Sequence, residues 1–333
     1  IESACCAVVL GGTVAECAAF LVQLFLFSGE RRAARKNKRH APDGADSGDG
    51  GDVNRRLLRI ALPVAFSAYL RSGLVTLEHL LIPRGLQKSG SSREISLAAY
   101  GTLHSMVFPL VLFPSAISAS FAGLLIPEIS EAKAAGKEEE IKKIVDKVLN
   151  CVLTYAIGTA GIMMCFAYEI GNAVYPTAGT GAYLLAVAPL IPVMYLDTAV
   201  DSILKGIGQQ FYCMAVNLVD ASLSVLLVWL LLPSMGIKGY LVTVYFTEIL
   251  NGTLSLARLL TVCPVKAKIF HRILRPVVCI VLATASSRLF LHALGAFSGT
   301  RLDTFLHVSA AVLLYAALIL LFRIPKKRRQ SAT

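Results

Sequence analysis

Nine stretches of roughly 20 predominantly apolar residues follow one another along the 333-residue chain. A segment of that length is what an α-helix needs to cross the hydrocarbon core of a bilayer. Because the core holds no water for backbone N–H and C=O groups, such segments are expected to be helical throughout. They run over Ala4–Phe27, Leu57–Ile82, Leu97–Ile126, Leu149–Tyr168, Ala182–Leu204, Tyr212–Leu232, Gly239–Leu260, Ile273–Leu294 and Phe305–Phe322, and are called spans a to i. Only 16% of the residues are charged, against about 25% in soluble domains. The expected class is an all-α polytopic membrane protein.

The formal charge of +11 would suggest a nucleic-acid partner in a soluble chain. Here the basic residues lie between spans, so they report topology and no nucleic acid is expected. Lys and Arg number 25 in the loops on one side of the membrane and five on the other (Arg84, Lys88, Arg93, Lys238 and Arg301). That asymmetry places the first group, and with it the carboxy terminus, in the cytoplasm. The chain opens with Ile1 and reaches apolar sequence almost at once, without a basic n-region, so a secretory signal is not supported. It reads as the carboxy-terminal part of something longer.

Residues 29–56 carry a basic block and then a Gly/Asp stretch with little to bury, the composition of a disordered cytoplasmic linker. The expected division is residues 1–28 as the last helix of an amino-terminal lobe, 29–56 as linker, 57–262 as a six-helix transporter lobe, and 263–333 as two additional helices with a basic tail. Within 128–147, Ile141, Ile144, Val145 and Val148 form one stripe, predicting a surface helix that leads into span d. Eight cysteines lie in or beside apolar segments without C-x-x-C spacing, so neither disulfides nor a zinc site is indicated.

Ionisable side chains at bilayer depth cost on the order of 2.5 to 3.5 kcal/mol each on insertion scales. Those present therefore face a bundle interior or a wet cavity. Span b carries Arg71 near its midpoint and Glu78 on the same face, about 10 Å apart along the axis. His104 lies in span c with Pro109 and Pro114, which should bend that helix. Asp197 and Asp201 are one turn apart in span e with Lys205 beyond, Asn217 and Asp220 share a face of span f, and Glu248 and Asn251 lie in span g. Arg71, Glu78, His104, Asn217 and Glu248 are the candidate substrate-binding residues; Asp197, Asp201 and Asp220 are candidates for cation coupling. Helix–helix hydrogen bonding accounts equally well for Asn217, Asp220 and Asn251, and a helix-end ion pair for Asp201 with Lys205. No phosphate-loop, H-E-x-x-H or G-x-S-x-G signature occurs, and no catalytic residue, metal site or cofactor is expected.

The run RRLLRIALPVAFSAYLRSGLVTLEHLLIPRGLQKSG, the following SLAAYGTLHSMVFPLVLFPSAISASFAGLLIPEISEAKAAGK and the later ILKGIGQQ resemble the stage V sporulation protein B group of oligosaccharide flippases. That group belongs to the multidrug/oligosaccharidyl-lipid/polysaccharide exporter superfamily. The resemblance covers about residues 55 to 260. It implies a fourteen-helix protein of two six-helix lobes around a cavity plus two more helices, with spans a to i as helices 6 to 14. It also implies alternating-access translocation of a lipid-linked sugar, with the missing amino-terminal lobe as a partner within the same protein and the bilayer as the other. Arg71 matches in character the cavity arginines that hold a diphosphate in similar proteins. A cation-coupled multidrug antiporter of the same superfamily is the alternative, and a membrane glycosyl polymerase or ligase a third reading, disfavoured by an outer loop (83–96) of only about 14 residues.

The charge asymmetry makes a direct prediction. A cysteine introduced at Ser47 should resist a membrane-impermeant thiol reagent in intact cells, whereas one at Ser91 should react; the reverse pattern overturns the topology.

Overall fold

The computed structural model describes residues 2–38, 50–90, 92–175, 179–264, 269–293 and 301–323, and every regular element among them is a helix. The protein is an all-α polytopic membrane protein. Six described helical segments are long and apolar enough to cross a membrane: Leu10–Gly29, Glu94–Leu112, Glu138–Cys165, Thr180–Gly206, Gln210–Met235 and Arg301–Phe322. Spans b, g and h are helical too but carry more polar residues, among them Arg71 and Glu78 in b, Glu248 and Asn251 in g, and Arg275 and Arg288 in h.

Two compact units divide the chain at Leu62/Pro63. The first contains α1 (Glu2–Lys38) and the opening turns of α2 (Gly50–Lys88). The predicted linker is shorter than its composition suggests. Helix α1 runs on through residues 29–38, because alanines and long basic side chains are good helix formers, and α2 starts at Gly50. The remaining linker residues, 39–49, lie outside the described residues.

The second unit begins inside α2, at Pro63. It continues through α3 (Arg93–Thr102), a π turn (Leu103–Val107), α4 (Phe108–Leu112), α5 (Ser115–Ala134), α6 (Glu138–Cys165), α7 (Ala167–Val174), α8 (Thr180–Val187), α9 (Ile191–Gly206), α10 (Gln210–Met235), α11 (Ile237–Val262), α12 (Ile269–Ala293) and α13 (Arg301–Arg323). Helix α2 extends through Pro83 to Lys88, so the loop expected over 83–96 shrinks to the few residues before Arg93. Helix α9 is the hub, packed against α5, α6, α10 and α11. One core joins Ile82 and Leu86 of α2 to Val107, Val111, Ile191, Tyr195 and Leu232; a second gathers Ile129, Val145, Ile203, Leu204 and Leu259. The amphipathic stripe expected before span d is the first part of α6, with Ile141, Val145 and Leu149 buried.

Two of the prolines lie where helices are interrupted, and tyrosine hydroxyls from other helices bond to carbonyls beside those interruptions. Pro114 ends α4, and Pro189 lies in a 3-10 turn (Ala188–Leu190) between α8 and α9. A proline has no N–H and leaves a carbonyl one turn back without its helical partner, a costly condition in hydrocarbon. Tyr195 donates its hydroxyl to the Val111 carbonyl at 2.6 Å, Tyr155 to that of Pro114 at 2.7 Å, and Tyr245 to that of Ala186 at 2.5 Å. At the other end of the unit, the α9–α10 turn contains Gly208 at φ +83°, a conformation that glycine adopts without steric cost. Ser130 donates to the Gly206 carbonyl at 3.1 Å, Lys133 to that of Ile207, and Arg258 to the Gln209 amide oxygen at 2.8 Å.

Helices α12 and α13 pack together and against α6. They carry polar contacts of their own. Ser287 donates to the His307 carbonyl at 3.0 Å, Arg272 pairs with Asp146, and Arg288 reaches the Cys165 carbonyl and, at 3.2 Å, Glu169. Helix α6 makes room for both: Gly158 faces the Tyr315 ring and Gly161 faces Ile280, each with no space for a methyl group. Gly161→Leu should therefore destabilise the purified protein by about 1 to 3 kcal/mol, read as a fall in its thermal midpoint in detergent. Gly123→Leu, which meets nothing within 4 Å, should leave the midpoint nearly unchanged.

Candidate functional site

Helices α2, α4, α5, α9, α10 and α11 converge on a polar pocket of about 180 Å³. Its ionisable lining consists of Arg71, Asp197, Asp220 and Glu248, with Asn217 and Asn251 beside them. Local sequence explains the convergence. Arg71 stands midway along the apolar run of α2, where its guanidinium cannot turn toward lipid without the insertion cost of a bare charge. Asn217 and Asp220 are three residues apart on α10, as are Glu248 and Asn251 on α11, so each pair presents one helix face. Asp197 is projected from α9, the hub, two residues after the Tyr195 that closes the α4 break.

The groups are unequally satisfied. Asn251 donates to Asp197 Oδ2 at 3.2 Å, and Ser255 lies next to the same carboxylate. Oδ1 of Asp197 and Oδ1 of Asp220 are buried without a hydrogen-bond partner. Asn217 spends its amide on the Cys213 carbonyl of its own helix at 2.9 Å. Arg71 is exposed at the pocket mouth, in the electrostatic reach of Asp220 and Glu248, and it has no ion-pair partner within 4.0 Å among the described residues. Three carboxylates thus face one guanidinium.

Of the residues singled out from the sequence, Arg71, Asn217, Glu248, Asp197 and Asp220 meet here. The other three lie elsewhere. Glu78 is directed at Ser224 of α10 and lies beside His79. His104 joins an aromatic group with His79, Tyr100 and Phe108. Asp201 pairs with Lys205 at 3.5 Å, the helix-end ion pair that the spacing allowed. Sequence reasoning missed Ser115, Tyr195 and Thr198. Ser115 follows Pro114 and Thr198 follows Asp197, so both had a positional signal; Tyr195 had none, since its role depends on a carbonyl 84 residues away. Among the described residues no group of three or more His, Cys, Asp or Glu side chains is arranged to hold a metal.

The pocket geometry predicts a labelling contrast between neighbours. In a cysteine-free background, Thr198→Cys should react with a hydrophilic thiol reagent on the folded protein, because Thr198 is exposed in the lining. Ala199→Cys, at a position 1% exposed, should not react until the protein is denatured.

Comparison with known proteins adds two relatives. No family model matches the chain. Stage V sporulation protein B of Bacillus subtilis is 24% identical to it over 283 residues, which are 84% of this chain and 54% of that protein. Sporulation protein YkvU of the same bacterium is 24% identical over 166 residues, 49% of this chain and 37% of that protein. The chain spans about half the length of the first relative.

Proposed function

We propose that this chain, a relative of stage V sporulation protein B, is the carboxy-terminal lobe and tail of a plasma-membrane flippase, with its carboxy terminus in the cytoplasm, and moves a lipid-linked oligosaccharide or cell-wall precursor by alternating access. The observation that carries the reading is Arg71: a guanidinium in mid-helix, at the mouth of a polar pocket, without an ion-pair partner among the described residues. A lipid-linked sugar carries its phosphate charge where lipid meets saccharide, and that charge must cross the low-dielectric core. Arginine suits the task because its planar fork binds phosphate bidentately and keeps its proton. The relationship to a sporulation protein fits cell-wall or coat chemistry as the setting.

The carboxylates supply a means of coupling. With Asp197, Asp220 and Glu248 ionised, the pocket repels a second anion and holds Arg71 in its own field. Protons or small cations on those acids would cancel the repulsion and release the guanidinium to the diphosphate. Asp201, paired with Lys205, is the step toward the α9–α10 turn. Asn217 and Asn251 orient the pocket, and Glu78 continues the polar line along α2. Alternating access places such sites between moving halves of a transporter, and an amino-terminal lobe of the same protein would provide the opposing wall.

The excess of acid over base also favours a second reading, a cation-coupled multidrug antiporter, in which the three carboxylates bind a cationic substrate directly. Arg71 separates the two. In the protein as encoded, Arg71→Ala should abolish complementation of a deletion strain and leave the lipid-linked sugar on the cytoplasmic leaflet, with membrane expression equal to wild type. Arg71→Lys should retain partial function, because the charge survives without the fork. Normal complementation by Arg71→Ala, with loss of function confined to Glu248→Gln and Asp220→Asn, overturns the flippase reading in favour of the antiporter.

A further inference from the structure

Two histidines from different helices meet at the α2–α3 end of the second unit. The rings of His79 and His104 stand 5.1 Å apart, edge to face. Tyr100 stacks on His104 at 5.4 Å, and its hydroxyl lies 2.8 Å from His79 Nδ1. Tyr240 of α11 meets the Tyr100 ring edge-on at 5.5 Å, and Phe108 meets His104 at 6.2 Å. Both imidazoles are exposed. His104 belongs to the π turn, where the Phe108 N–H reaches back five residues to the Leu103 carbonyl, an interruption of the helical ladder that marks functional positions in many helices.

We propose that His79, Tyr100 and His104 form a proton-operated clasp that holds α2 against the π turn while both imidazoles are neutral and releases it when both are protonated. The hydrogen bond defines the closed state. Neutral His79 carrying its proton on Nε2 accepts the Tyr100 hydroxyl at Nδ1. A proton arriving at Nδ1 turns the acceptor into a donor, and the tyrosine must rotate its hydroxyl to receive it. The titratable groups facing the clasp are Glu78 on α2, Tyr100 on α3 and Tyr240 on α11. Glu78 offsets one imidazolium. The second puts two cations on adjoining rings with a single carboxylate beside them.

The release has leverage. Beyond the clasp, α2 is fixed by Ile82, by Gly85 lying directly against Leu232 of α10, and by Leu86. Arg71 is eight residues back along the same helix, about 12 Å along its axis, so loosening the contact at His79 tilts the guanidinium relative to the carboxylates of α9, α10 and α11. The clasp operates whatever ligand Arg71 holds.

The test is a distance measurement on the purified full chain with its eight native cysteines replaced and spin labels at Leu77→Cys and Leu97→Cys, both exposed positions. Double electron–electron resonance should give one distance near pH 8 and a longer one as the major population near pH 4, well below the ordinary imidazole range, because the second proton must join a cation already on the adjoining ring. The double variant His79→Gln, His104→Gln should keep the short distance at both pH values. Tyr100→Phe, which retains the stack and removes the hydroxyl, should show the longer distance already near pH 8. A distance independent of pH in the wild type, a pH-dependent change that persists in the double variant, or a Tyr100→Phe protein indistinguishable from wild type overturns the clasp.

Discussion

A bilayer offers no water to a backbone carbonyl, and the second unit is built around that constraint. Its helices are interrupted at Pro114 and Pro189, yet carbonyls at both breaks are satisfied by tyrosine hydroxyls arriving from other helices. These bonds do more than neutralise an orphaned group. Tyr195 ties the broken α4 to α9, and Tyr155 ties the same break to α6, their rings stacked at 6.0 Å. The prolines therefore leave hinges whose resting angle is set by hydrogen bonds between helices, and the polar pocket opens beside that junction.

The pocket itself inverts the usual economy of a membrane interior. Buried charge is ordinarily matched one for one, because removing either partner leaves an uncompensated ion. Here a single guanidinium faces three carboxylates, and two carboxylate oxygens have no hydrogen-bond partner. Such an imbalance is tolerable in a cavity that water or substrate enters and costly anywhere else.

The sequence disclosed more of this than its short motifs would suggest. Spacing at 100° per residue placed Asn217 with Asp220 and Glu248 with Asn251, and five of the eight candidate residues share one pocket. Contacts between distant segments were not readable. Glu78 has the same apolar context as Arg71 and the same face of α2, but it is turned to Ser224, 146 residues on. His104 had no visible partner because the π turn and His79 lie on separate helices. Residues 29–38 were disguised by their charge, since a basic run solvates equally well as helix or coil.

Helix α12 is pinned at both ends, by Arg272 on Asp146 of α6 and by Arg288 on the Cys165 carbonyl of α6 and on Glu169 of α7. Those anchors are 16 residues apart, about 24 Å of helix, and a rod fastened at two separated points can neither slide nor swivel. With Gly158 and Gly161 of α6 in close van der Waals register with Tyr315 and Ile280, α6, α12 and α13 behave as one splinted beam. A tilt of α6 would therefore take α12 and α13 with it.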